Sequence, residues 1–147
     1  MSGLTLAQAS AIVDAALARG RALGLKPLTV AVLDAGGHLV AFKREDGSGI
    51  LRFDIAFGKA WGTLGMGFGG RELGARAQKS PTFMAALMAA SGGRVVPAQG
   101  GVLVRDAAGA VIGAVGISGD VSEKDEDCAV AGIAAAGLHA DTGAAPG

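Results

Sequence analysis

A chain of 147 residues and 14.3 kDa fits a single domain with a core of its own. Thirteen basic and thirteen acidic residues cancel, and no lysine–arginine cluster or basic–aromatic interleaving marks a nucleic-acid surface, so no nucleic-acid partner is expected. The single cysteine, Cys128, excludes an intrachain disulfide framework and a cysteine-cluster metal site.

The first element is a helix over residues 4–23, opened by Thr5 and Gln8 at capping-box spacing and carrying Ile12, Val13, Ala16, Leu17, Gly20 and Leu23 on one face. Residues 28–34 and 38–44 are short apolar strands around Ala35-Gly36-Gly37, a β-hairpin. After a polar loop at 45–49, residues 51–64 are expected as a helix despite Gly58 and Gly62. Each of these glycines costs about 1 kcal/mol relative to alanine and points to another backbone coming close. Its apolar stripe is Phe53, Phe57, Ala60, Trp61, Leu64 and Phe68. The Gly-rich stretch 65–70 follows a helix, not a strand, and is therefore a turn and not a phosphate cradle.

Residues 71–78 read as a short helical turn, and Ser80-Pro81 opens a further helix over 82–90. A second hairpin joins 102–105 to 111–118 through DAAGA, and Gly113 and Gly116 in its long strand signal close approach from a neighbouring layer. Ser122 is placed to cap a last helix running to about residue 139, with Glu123, Asp125, Glu126 and Asp127 near its positive end. That helix is apolar nearly all round and should be covered on most sides. The domain spans residues 4–140, and 141–147 is expected to be a disordered tail. Strands arriving in hairpins between helices give an α+β class with an antiparallel sheet and rule out a doubly wound parallel fold.

Half of the residues are hydrophobic and only 18% are charged. No apolar run approaches the roughly 20 residues of a membrane span, so no membrane partner is expected and the surplus is assigned to contacts in a homo-oligomer. The start, MSGLTLAQAS, lacks a basic region and a long apolar core, which leaves the cytoplasm as the expected location.

The segments DAGGHLVAFKREDG, FGKA and VIGAVGISG, followed by KDED and AVAG, resemble in order and spacing the GlcG/HbpS-like family. That group carries a haem-degrading label and includes the C-terminal domain of PduO-type proteins. The resemblance runs over residues 5–138 and implies a profilin-like fold with a five-stranded antiparallel sheet, with residues 94–99 the natural fifth strand. It also implies that oligomers are common and that haem is a candidate ligand, since some members bind haem or sense redox conditions while others belong to catabolic operons. Matching positions are Asp34, Gly36, Gly37, His38, Arg44, Lys59, Ala60, Gly100, Gly101, Ser118, Gly119, Asp125 and Glu126. The chain departs from the family pattern at Leu103, where proline is common, and at Trp61-Gly62-Thr63, where a Thr-Ala pair is common.

Haem needs an axial ligand, and His38, His139 and Cys128 are the candidates of the usual types. His38 starts a strand after the double-glycine turn; His139 is explained by a helix dipole and Cys128 by packing. No pair has zinc spacing, so no metal site is expected. Lys59, in apolar surroundings, is either a base or nucleophile of lowered pKa or the partner of an acid. Asp120, Asp125 and Glu126 are either helix-start acids or proton-transfer groups. Arg44 and Arg71 are placed to hold a carboxylate, Asp34 to satisfy turn amides or a ligand, and Gln99, Gly100 and Gly101 to line a pocket. Two readings stay open. One is a small-ligand-binding or sensing oligomer whose ligand is haem or a carboxylate. The other is a small catabolic enzyme acting on an organic acid by acid–base chemistry.

Overall fold

The computed structural model describes residues 3–145. Ten elements follow one another: α1 (Leu6–Ala22), β1 (Thr29–Asp34), β2 (Leu39–Arg44), α2 (Arg52–Met66), α3 (Gly70–Lys79), α4 (Pro81–Ala90), β3 (Gly101–Arg105), β4 (Val111–Ser118), α5 (Ser122–Ala135) and β5 (His139–Asp141). The strands form one antiparallel sheet in the order β2-β1-β4-β3-β5, the α+β, profilin-like architecture that the hairpin pattern and the resemblance implied.

Helices cover both faces. On one, α1 and α5 pack together and against Val30, Val32, Val102, Val104, Val115 and Ile117 of the central strands. Burying each such side chain contributes about 1.5–3 kcal/mol, which makes this layer the main source of stability. The Thr5–Gln8 capping box that opens α1 forms as its spacing requires. Gly20 leaves room for Leu28 to pass beneath the helix.

On the other face lies α2, and its seating departs from the expected stripe. The buried residues are Ala56, Gly58, Lys59, Ala60, Gly62 and Thr63, while Phe53, Phe57, Trp61 and Leu64 are only half-buried. The cause is backbone proximity. Gly116 of β4 has no room for a β-carbon beside the Ala56 carbonyl, so only small residues fit between helix and sheet. Gly58 and Gly62 lie under the 95–96 backbone, with the Val96 amide donating to the Gly58 carbonyl at 3.1 Å. The expectation of a close neighbour at these glycines is met.

Several boundaries are corrected. Residues 94–99 are not the fifth strand; they are irregular and cover α2. The fifth strand is β5, whose Arg105↔His139 register places His139 on a sheet edge and not at a helix end. The last helix stops at Ala135 because the chain turns at Gly137 (φ 74°). Ser122 is the first helical residue and not the cap, a position held by Val121 without a side-chain hydrogen bond. Of the stretch expected as a tail, Asp141 ends β5 and Thr142 accepts a hydrogen bond from the Arg71 amide at 3.0 Å, whereas Pro146 and Gly147 lie outside the described residues. The short turn at 71–78 is a full helix, α3. No helix among the described residues is long and apolar enough to cross a membrane.

Candidate functional site

Two groupings gather the sequence-predicted residues, and a third feature stands apart from them. The first is buried. Lys59, pointing from α2 toward the end of β4, donates to the Ile117 carbonyl at 2.9 Å and to Asp125 Oδ2 at 3.3 Å. The other oxygen, Oδ1, accepts from the Asp120 amide at 3.1 Å, which ties the 119–121 turn to the first turn of α5. Gly100 (φ 103°) closes over this pair, since a β-carbon there would sit 2.9 Å from Lys59 Nζ. Gly101 packs on the Lys59 carbonyl. Burial pulls Lys59 below the ordinary lysine value against the pull of Asp125, and the same burial pushes Asp125 above the usual carboxyl range against Lys59. This pair is enclosed and neutral overall.

Beside it, the Arg71 guanidinium on α3 embraces buried Glu126, with Nε at 2.8 and 3.0 Å and Nη2 at 2.6 Å from the carboxylate. Hydrogen bonding and charge from Glu126 raise the Arg71 pKa further. Arg71 and Glu126 therefore satisfy each other. Asp120 faces outward and accepts from the Lys26 and Val121 amides, which hold its carboxyl below the usual range. Gln99 is half-buried next to Gly100.

The second grouping is the tip of the first hairpin. Asp34 ends β1, and its Oδ1 accepts from the amides of Gly36 and His38 at 2.9 and 3.0 Å, the local bonding that lets the chain reverse at Gly37 (φ 82°). The same carboxylate meets His38 Nδ1 at 3.0 Å, and the His38 side chain is 78% exposed. Although partial burial alone would raise it, hydrogen bonds from His38 and Gly36 and the charge of His38 hold Asp34 below the ordinary carboxyl value. Because a carboxylate only accepts, Nδ1 carries the proton here, and the neutral form of the imidazole keeps its lone pair on Nε2, the arrangement by which histidines ligate metals. The Trp61 indole lies against Gly37, and the Arg94 guanidinium covers the Trp61 ring at 4.3 Å. Thus one aromatic side chain lies against the turn that precedes His38, with one cation stacked on it. His139 and Cys128 do not share this setting: the former is exposed on β5, the latter buried between α1 and α5. Arg44 stands at the far end of the hairpin, donating to the Ser48 carbonyl at 3.0 Å.

The third feature was not read from the sequence. A cleft of about 470 Å³ opens between α3 and α4, walled by Leu73, Phe83, Met84 and Leu87 and rimmed by Arg76 and Lys79. Arg76 is committed to Glu72 at 2.7 Å and to the Phe68 ring at 4.1 Å. The available signal was the 82–90 run, a helix with no polar face whose residues are exposed apart from Met84 and Leu87.

A family model described as haem degrading protein HbpS-like matches residues 4–134. Among solved structures, a PduOC–haem complex superposes with a TM-score of 0.83 at 28% identity, covering 97% of this chain and 99% of that one. A double mutant of HbpS from Streptomyces reticuli gives 0.78 at 29% identity, over 91% and 87% of the two chains. The Klebsiella pneumoniae protein ORFY gives 0.80 at 26% identity, over 91% and 90%. A search of curated proteins finds no match.

Proposed function

Because this chain belongs to the HbpS-like family, we propose that it is a homo-oligomeric haem-binding protein in which His38 takes the iron. The observation that carries this reading is the Asp34–His38 contact at 3.0 Å, which orders the imidazole and leaves its second nitrogen facing out. A carboxylate behind a ligating histidine fixes the tautomer and raises ligand basicity, and its removal typically costs 10–100-fold in metal affinity. Trp61 offers the indole edge that lies against Gly37, and Arg94, stacked on its ring and donating to the Ser91 carbonyl, a cation for a propionate. When bound, haem would supply a redox-active iron; the chain's own residues bind and orient it. The haem complex of a similar protein supports the choice of ligand.

Titration with haemin, followed by the Soret band, tests the proposal. Saturable binding is expected, abolished or weakened more than tenfold in His38→Ala and weakened about tenfold in Asp34→Asn, with His139→Ala unchanged. Undiminished binding by His38→Ala would remove His38 from the site. Absence of any saturable spectral change in the unaltered protein would defeat the haem reading as a whole.

A further inference from the structure

The cleft between α3 and α4 shares no lining residue with the surroundings of Lys59 or of His38. α4 leans on the body through Met84, which packs with Leu73 and Val95, and the space left between the two helices measures about 470 Å³. On the other side of α4 a smaller hollow of about 220 Å³, bounded by Trp61 and Ala90, shares Met66 and Leu87 with the first. Met66 and Met84 therefore form part of the cleft wall, and methionine adapts its shape to what it touches. At the mouth, Arg76 and Glu72 answer each other at 2.7 Å, so that pair is neutral. Lys79 ends α3 at the same rim, exposed, and among the described residues no acid pairs with it. By contrast Lys43, beside the hollow between α1 and β2, is taken up by Asp14 at 2.7 Å.

We propose that the α3–α4 cleft binds a small monocarboxylate with an apolar tail, the tail lying between the helices and the carboxylate meeting Lys79. Size is the first argument. The volume falls within the roughly 300–1,000 Å³ of small-molecule sites, which pair apolar walls with a few polar groups that fix orientation. Leu73, Met84 and Leu87 supply such walls. Charge is the second argument. With Arg76 and Glu72 cancelling, Lys79 leaves the mouth one positive charge, which is complemented by one negative charge on the ligand. Ser80, also at the rim, gives the first turn of α4 no side-chain cap, so the amides left free there add to the same sign. A polyanion such as a phosphate ester would need further cations, and a cation of the same shape would face Lys79.

Protein carrying ¹³C-methyl methionine, titrated with octanoate, reads the cleft directly, because Met66 and Met84 line it and Met88 does not. The signals of Met66 and Met84 are expected to shift saturably with one ligand per chain, and that of Met88 to stay. From hexanoate to octanoate the affinity should rise about two- to fourfold per methylene. Ala75→Trp, at an exposed position of the wall, fills the cleft without entering the core and should abolish binding with unchanged circular dichroism. Lys79→Gln should weaken octanoate about three- to fivefold, the size of an exposed ion pair, with Lys124→Gln unchanged. Octylammonium should bind at least fivefold more weakly than octanoate. The proposal is overturned by the lack of a saturable Met84 shift, by binding that survives Ala75→Trp, by equal binding of octylammonium, or by a Lys79→Gln variant no weaker than Lys124→Gln. Signals that follow protein concentration in place of octanoate would put a second copy in the cleft and overturn it equally. No haem is present and no residue around His38 is altered, so the outcome is independent of the function proposed above.

Discussion

Replacing Lys59 by methionine isolates the buried pair. The change keeps most of the side-chain volume but deletes the cation, leaving Asp125 with one hydrogen bond, from the Asp120 amide at 3.1 Å. An uncompensated buried charge of this kind costs about 3–5 kcal/mol, out of a total stability of about 5–15 kcal/mol. At this chain length, a loss of that size lowers the melting temperature by roughly 6–20 °C. The double variant Lys59→Met/Asp125→Asn removes both charges and keeps an acceptor for the Asp120 amide, so it should recover most of the loss. Burial already displaces both groups toward their neutral forms, which means desolvation outweighs their attraction. The pH dependence follows. A raised carboxyl pKa makes the folded state bind the proton more tightly than the unfolded one, so the Asp125 contribution declines as pH rises from the ordinary carboxyl value through the folded one. In Lys59→Met, with the attraction of Lys59 gone, that decline should be steeper, and the variant relatively more stable near pH 4 than at pH 7. Urea unfolding at both pH values measures all of this. A loss below about 1 kcal/mol in the single variant, or a double variant as unstable as the single, would refute the reasoning.

Gly116→Ala should destabilise by about 3 kcal/mol, because its β-carbon falls on the Ala56 carbonyl; Gly49→Ala, whose β-carbon meets only the Arg52 side chain at 4.0 Å, should be neutral or mildly stabilising in the same assay. Cys128, whose thiol burial pushes up to about 11 with help from Asp127 and Asp125, should resist a thiol reagent in the native state and react at once on unfolding. Asp34→Ala should cost on the order of 1 kcal/mol at neutral pH, discounted for the exposure of the site, through loss of the turn hydrogen bonds. Since the Asp34 carboxyl is lowered on folding, its stabilisation is present above the ordinary carboxyl value and lost as pH falls through the folded value, so the gap between the two proteins should close in acid.

The local signals in the chain carried far. The Thr5–Gln8 spacing, the Pro81 start and the bounds of β4 each depend on neighbouring residues alone, and each is where the sequence put it. What failed were inferences about distant surfaces. Periodicity selects the largest apolar side chains of α2, but packing selects the smallest, because Gly116 on another element sets the clearance. Three residues of β5 are too few to show a pattern, and their pairing with β3 depends on a turn at Gly137. At the site, the Asp34–His38 contact was within reach, being an i,i+4 contact across a recognisable turn. The Lys59–Asp125 and Arg71–Glu126 pairs join positions 66 and 55 residues apart, so sequence left each residue with several partners to choose from. The α3–α4 cleft went unseen because its walls come from ordinary core-type residues on two helices.

The seating of Ala56 on Gly116 bears on how such a domain changes its ligand. With α2 lying almost on the β4 backbone, there is no space at that contact to enlarge or reshape. Recognition is displaced to the hairpin tip and the outer helix faces. Residues there can be exchanged without repacking the core. One scaffold can then be retuned from one small molecule to another by surface substitution, while the glycines that set its thinness stay fixed.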